Sequence, residues 1–278
     1  MDDKLKLETN AKEIRKKIFL MIYKAGGGHI TPAFSIVELL TVIYFKILRI
    51  DPKHPRDPNR DRFILSKGHA SAALYATLAQ AGFIEEGFLE TFCQPSGKLG
   101  GHPDIDSIPG VEATTGALGH GFPFSIGIAL SGKLDKKNYR VYTVIGDGEC
   151  QEGSVWEAAQ FAAHHQLDNL TAIIDYNKLQ AMGKISEILG LEPLVKKWES
   201  FNWAVREVDG HDLKEINRIL SSVPFEKNKP SLIVAHTIKG KGVSFMENVP
   251  IWHYRLTNEK ETEISCQELG IESLTKGF

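Results

Sequence analysis

The chain has 278 residues, 42% of them hydrophobic and 24% charged, with a formal net charge of −2. That composition can fill one large globular core, and it provides no global field for nucleic acid or an acidic membrane. The three cysteines, Cys93, Cys150 and Cys266, are too few and too far apart for a disulfide framework or a close-spaced metal pair, so a reducing, cytoplasmic setting is expected.

The opening residues Met-Asp-Asp-Lys lack the apolar core of a signal peptide. Ile14, Ile18, Met21 and Ile22 follow helical spacing, which predicts a helix packed on the domain with Lys and Glu outward. No apolar run is long enough to span a membrane. Thr31-Pro32 predicts a helix through about Leu48, with Thr as its cap. Residues 51–62 form a Pro- and Asp-rich loop, Phe63-Ile64-Leu65 a strand, and residues 71–80 a helix. Residues 93–118 carry many Gly, Pro and Thr and little periodicity, and so long a loop in a compact domain points to function or disorder. Helix resumes over 122–134. Strands are expected at 141–145, 170–175, 203–208 and 232–235, with helices at 152–163, 213–220 and 259–269. Residues 237–257 read as irregular. Strands alternating with helices imply an α/β fold, a mainly parallel sheet with helices on both faces, and one domain over 1–278.

The most informative stretch is Gly146-Asp147-Gly148 at the end of one strand, with Asn177 at the end of the next. Gly146 permits a sharp turn, Gly148 lets an anion approach the main-chain N–H groups, and Asp147 offers a hard oxygen ligand. Adjacent strand ends would bring a carboxylate and a carboxamide to one point, which suits Mg²⁺ holding a diphosphate. Alone, the triplet is a weak signal, because Asp-Gly is also a common turn. The order strand, Gly-Asp-Gly, helix, strand, Asn favours the cofactor reading. The dinucleotide fingerprint and the P-loop pattern are both absent.

Four histidines sit in irregular, mostly glycine-flanked segments: His29, His69, His102 and His253. Imidazole there can bind phosphate or hydroxyl oxygens and shuttle protons. Each, taken singly, also reads as a turn or surface residue, and their spacing does not favour zinc. His164 and His165 are expected near the terminal carbonyls of a helix. His54, His211 and His236 read as structural. Lys239-Gly240-Lys241-Gly242 can cradle phosphate, but a solvated turn is favoured because no helix follows directly.

Together these segments resemble transketolase. The match runs through Gly28-His29, Lys67-Gly68-His69-Ala70, Gly101-His102-Pro103, residues 109–116, Leu118-Gly119, Gly146-Asp147-Gly148, Gln151-Glu152-Gly153, Asn177-Lys178, residues 239–243 and Trp252-His253. The resemblance implies a thiamine-diphosphate-binding fold in which Asp147, Asn177 and the carbonyl of Leu179 ligate Mg²⁺, with Ca²⁺ or Mn²⁺ as alternatives. It places Gly148, Asn177, His69 and His253 at the diphosphate of thiamine diphosphate. Gly116, Ala117 and Leu118 fall at its aminopyrimidine side. His29, His102 and His253 would face the sugar, with His253 the first choice for the proton steps, and Glu152 would reach toward a partner's catalytic glutamate. Residue 120 is His where the family usually has Gln.

A complete transketolase continues into a pyrimidine-binding domain, which carries the glutamate that activates the cofactor, and then a C-terminal domain. Nothing in these residues resembles either. The expectation is therefore an N-terminal subunit of a split transketolase, assembling as two of each subunit with a separate C-terminal chain. It would transfer a two-carbon unit from a ketose to an aldose, with sugar or sugar-phosphate substrates. The alternatives are a subunit of a 2-oxo acid dehydrogenase or of a deoxyxylulose-phosphate synthase, or a non-catalytic partner that keeps the fold.

Overall fold

Four short, mostly apolar runs and one mixed edge segment become the strands: β1 (Arg62–Leu65), β2 (Val141–Gly146), β3 (Leu170–Tyr176), the edge strand β4 (Ala204–Asp209), with Arg206, Glu207 and Asp209 exposed, and β5 (Ser231–His236). The computed structural model describes residues 3–272 and 274. Every strand pair is parallel, and the order across the sheet is β1-β2-β3-β5-β4. Period-two alternation sorts the side chains into two cores. Tyr142, Val144, Ile173, Val208 and Ile233 face one cluster. Val141, Ile145, Ala172, Ile174 and Val234 face the other. A parallel sheet covered on both faces needs such near-continuous apolar strands.

Helices α1 (Asp3–Ala25), α2 (Ile30–Phe34), α3 (Val37–Val42), α4 (Ser71–Gln80) and α9 (Leu213–Leu220) contribute to the first core. Helices α5 (Gly121–Leu134), α6 (Gly153–His164) and α8 (Leu194–Ser200) contribute to the second. Helix α10 (Glu259–Leu269) begins with a capping box between Asn258 and Glu261. The predicted bounds of α4, α9 and α10 agree with the structure.

The single helix expected over 31–48 is broken into α2, α3 and a π-helical turn at Ile43–Ile47. Thr31 is not its cap: its hydroxyl donates to the carbonyl of Trp252. The break falls beside Ser35, whose hydroxyl is committed to the buried carboxylate of Asp175, 2.7 Å away. Two short helices, α7 (Ile185–Ile188) and α8, carry too few turns to announce themselves by periodicity. Residues 237–257 are irregular as expected, apart from a 3-10 turn at Pro250–Tyr254. His164 and His165 pack as rings, with centroids of Phe161 and His165 4.2 Å apart and those of the two histidines 5.0 Å apart. No helix among the described residues is long and apolar enough to cross a membrane.

Candidate active site

The carboxyl ends of β1, β2, β3 and β5 open on one cavity of about 310 Å³, the location expected for ligands of a parallel α/β sheet. Register places Gly146 opposite Asp175 and Tyr176 opposite His236, so the residues that follow each strand meet at the cavity floor. Asp147, Gly148, Asn177, Leu179, His29, His69, His253, Gly116 and Leu118 all line it.

Asp147 is buried, and its two carboxylate oxygens accept the N–H of Gly148 at 2.7 Å and of Lys178 at 2.5 Å. Burial, and then the charge of Asp175, push its pKa up to about 7. The Oδ1 of Asn177 accepts the N–H of Leu179, and its Nδ2 donates to Asp175 at 3.0 Å, which turns the carboxamide oxygen away from Asp175. Asp175 is fully buried and also accepts from Lys67, Ser35 and Thr237. Burial alone would raise its pKa, but the Lys67 ammonium and these hydrogen bonds outweigh it and hold the carboxyl below the usual range.

Four residues left without a settled role by sequence pattern, Lys67, Glu149, Asp175 and Lys239, thus organise the floor and walls. Lys67 and Asp175 form a buried ion pair beneath the metal-type oxygens. Glu149 accepts from Gly119 at 2.9 Å and from Gly146 at 3.0 Å, and also from Ser66. Lys239 corrects the solvated-turn reading of its segment: it is 2% exposed, lines the cavity, and donates to the carbonyls of Leu179 at 3.1 Å and Gln180 at 3.3 Å. Burial and the Lys67 charge lower its pKa to about 8. The signal in the sequence was the pair Gly240 and Gly242, both at positive φ, which let the loop fold back tightly enough to turn Lys239 inward.

The imidazoles form one cluster. Ring centroids of His29 lie 5.4 Å from His69, 6.0 Å from His102 and 5.1 Å from His253, and His69 lies 5.5 Å from His253. Burial, reinforced by neighbouring positive groups, lowers His29 to about 4 and His253 to about 3, and holds His69 well below its ordinary value. These three rings are neutral at pH 7 and can both donate and accept. The Nδ1 of His253 is buried without a hydrogen-bond partner, so a polar ligand atom would satisfy it. His102 is exposed at the rim, with its ring over Gly116, where a Cβ would stand 3.3 Å from it. Ala117 is exposed beside the lining residues Gly116 and Leu118, and His120 is exposed with its ring on the carbonyl of Leu118. Glu152 is not in the cavity; it is exposed at the amino end of α6. His54, His211 and His236 bond to Asp51, Glu38 and Glu207, as structural histidines would.

The residues present suit a divalent cation carrying a diphosphate. A carboxylate, a carboxamide and a main-chain carbonyl supply few hard oxygens, as Mg²⁺ requires when phosphates and water complete its shell. Two ammonium groups, neutral imidazoles and the unpartnered His253 nitrogen supply donors for phosphate oxygens.

Residues 8–276 match the family described as transketolase, thiamine diphosphate binding domain. Fold and cavity together define a thiamine-diphosphate-binding domain. An apulose-4-phosphate transketolase subunit of Phocaeicola vulgatus is 42% identical to the chain, over 97% of it and 96% of that protein. The 6-deoxy-6-sulfo-D-fructose transketolase subunit SqwG of Clostridium sp. is likewise 42% identical, over 96% and 98%. Human transketolase is 38% identical over 95% of the chain, but the match spans only 42% of that protein. The solved transketolase of Leishmania mexicana superposes with a TM-score of 0.90 at 27% identity, over 97% of the chain and 42% of that structure. The chain belongs to the transketolase family.

Proposed function

We propose that this chain is the diphosphate-binding subunit of a split transketolase that moves a two-carbon ketol unit from a ketose to an aldose. The observation that carries this reading is the convergence of Asp147, Asn177 and Leu179 with two lysines and three neutral histidines in one cavity. The chain matches relatives named as transketolase subunits along nearly their whole length, yet spans under half of single-chain transketolases, and this supports the split. Residues 1–278 act as one domain.

The Oδ of Asp147, the Oδ1 of Asn177 and the carbonyl of Leu179 hold Mg²⁺, or Ca²⁺ or Mn²⁺ in its place. Gly148, Asn177, His69 and His253 meet the diphosphate, with Lys239 and Lys67 adding positive charge. Gly116, Ala117 and Leu118 lie along the aminopyrimidine side. Bound thiamine diphosphate supplies the nucleophile and electron sink for C–C cleavage. His29 and His102 orient the sugar hydroxyls. His253, which lines the same cavity, would hold and return the proton at the substrate carbonyl oxygen. Glu152 points outward, where it can reach a partner's catalytic glutamate. The partner supplies the pyrimidine-binding and C-terminal domains, with two copies of each chain and two sites about a two-fold axis. Substrates are sugars or sugar phosphates, and relatives named for apulose 4-phosphate and for a sulfonated fructose support a modified sugar. A cytoplasmic setting fits the three free cysteines.

The deciding experiment compares the assembled pair on two chemistries. Glycolaldehyde transfer from a ketose phosphate is expected; decarboxylation of pyruvate without ketol transfer would place the chain in another thiamine-dependent class.

His253→Ala should lower turnover by about 10²–10⁴-fold while weakening cofactor binding less. Native turnover at saturating substrate would remove His253 from the proton steps.

Cation affinity should depend on pH. Only the ionised form of Asp147 ligates metal, and its pKa in the cation-free chain is about 7. Affinity should therefore be level above that value and fall as pH drops through it, approaching about tenfold per unit. A titration of Mn²⁺ by electron paramagnetic resonance from about pH 5.5 to about pH 8.5 tests this. A flat profile contradicts the ligand role of Asp147.

A further inference from the structure

Behind the wall of the cavity that carries Lys239, the buried Arg15 and Glu38 meet the half-buried His211, and all three line a second cavity. Arg15 on α1 and Glu38 on α3 are each 8% exposed. The Nη2 of Arg15 donates to both carboxylate oxygens of Glu38, at 2.7 and 3.0 Å. His211, in the turn between β4 and α9, contacts Glu38 through Nδ1 at 2.9 Å. Its other nitrogen, Nε2, accepts the main-chain N–H of Ile238 at 2.8 Å. An N–H aimed at Nε2 requires the lone pair there, so the ring proton sits on Nδ1 and is donated to Glu38. The carboxylate thus fixes both the orientation and the tautomer of the ring.

Ile238 immediately precedes Lys239. The segment is clamped on both sides: the Thr237 hydroxyl donates to Asp175, and the Gly240 N–H to the carbonyl of Thr31 at 3.1 Å. Between those clamps, His211 accepts the main-chain N–H of Ile238 from the side of the loop that carries Glu38 and Arg15. Behind the loop, Arg15 also packs against Gly242, where an added Cβ would meet its Cδ at 2.7 Å. A buried ion pair with a histidine is costly to assemble for stability alone. Here it ends on the amide next to a lysine that faces the diphosphate pocket.

We propose that His211, oriented by Glu38 and Arg15, is a positioning residue for Lys239, aiming its ammonium into the cavity through the Ile238 amide. The proposal rests on the diphosphate reading of that cavity. His211 itself need not touch the ligand.

The test is calorimetric titration of the purified chain with inorganic pyrophosphate and Mg²⁺. Lys239→Ala should weaken binding, and His211→Leu should weaken it about tenfold, as losing one such hydrogen bond and the loop order it sets would do. His211→Gln, whose amide oxygen can replace Nε2 as acceptor, should stay within about twofold of the native chain. In the Lys239→Ala background, His211→Leu should add less than about twofold, because both changes remove the same interaction. Equal losses in both backgrounds, native affinity for His211→Leu, or a Gln variant as weak as the Leu variant would each overturn the proposal. If Lys239→Ala binds pyrophosphate like the native chain, the diphosphate reading fails and takes this proposal with it. A Lys239 effect without a His211 effect sinks the proposal alone. Should His211→Leu not fold, ¹⁵N NMR of the native chain decides: the Nδ1–H tautomer is expected, and an Nε2–H tautomer overturns the inference.

Discussion

Asp147→Ala should leave no measurable binding of magnesium and thiamine diphosphate, with the fold retained. Asp147 is the one carboxylate among the three proposed cation ligands, and losing that charge removes several kcal/mol of charge stabilisation. The alanine also strips the acceptor from the N–H groups of Gly148 and Lys178, at a cost of about 1–3 kcal/mol for each group left unsatisfied. Asp147→Asn is the sharper companion: it removes the charge and keeps one of the two acceptor oxygens, so only one of the Gly148 and Lys178 N–H groups loses its partner. The sign of its stability effect is fixed by the raised pKa. Burial lifts Asp147 to about 7, so its contribution to folding is fully present below the ordinary carboxyl value and is lost as pH rises through about 7. Relative to the native chain, the cation-free Asn variant should therefore gain in melting temperature as pH rises through about 7. Calorimetry with the partner subunit present, together with circular dichroism, checks both statements. Unchanged cofactor affinity in either variant would end the cation assignment.

The second large effect concerns assembly. The chain alone should lack transketolase activity and gain it with a second polypeptide. Its cavity holds the cation-type oxygens and the diphosphate donors, but no glutamate among the lining residues other than Glu149, which is committed to Gly119, Gly146 and Ser66. On the split reading, the group that activates the cofactor ring comes from the partner. Glu152 stands exposed beside the Gly119 turn, and Phe124 and Phe161, at 48% and 44% exposure, put apolar surface on α5 and α6. Obligate partners bury large and fairly apolar surfaces of this kind. The assay uses the pure chain with thiamine diphosphate, Mg²⁺ and a ketose donor, before and after adding the candidate partner. Substantial transfer by the chain alone would refute the split.

What could be read from the sequence follows from the range of each interaction. The strands were legible because a doubly covered parallel sheet writes itself as short apolar runs, and each expected run lies within a residue or two of its observed bounds. Helices α4, α9 and α10 were legible because their boundaries are local. The continuous helix over 31–48 was not realised, since its interruption accompanies a hydrogen bond from Ser35 to a residue 140 positions away. Asp147, Asn177 and the histidines could be found because a strand end or a glycine marks most of them locally. Lys67, Glu149, Asp175 and Lys239 could not be assigned roles in that way. The partners that define them lie on other strand ends, such as Asp175, 108 residues from Lys67, and Leu179, 60 residues from Lys239.

Glu149 has a mechanical consequence. One buried carboxylate fastens the segment after β1, the turn before α5 and the turn after β2 to a single point. Those three pieces of chain cannot drift apart without stranding a buried carboxyl group, so they are tied together. A ligand that docks along Gly116 and Leu118 would therefore meet chain already anchored through Gly119.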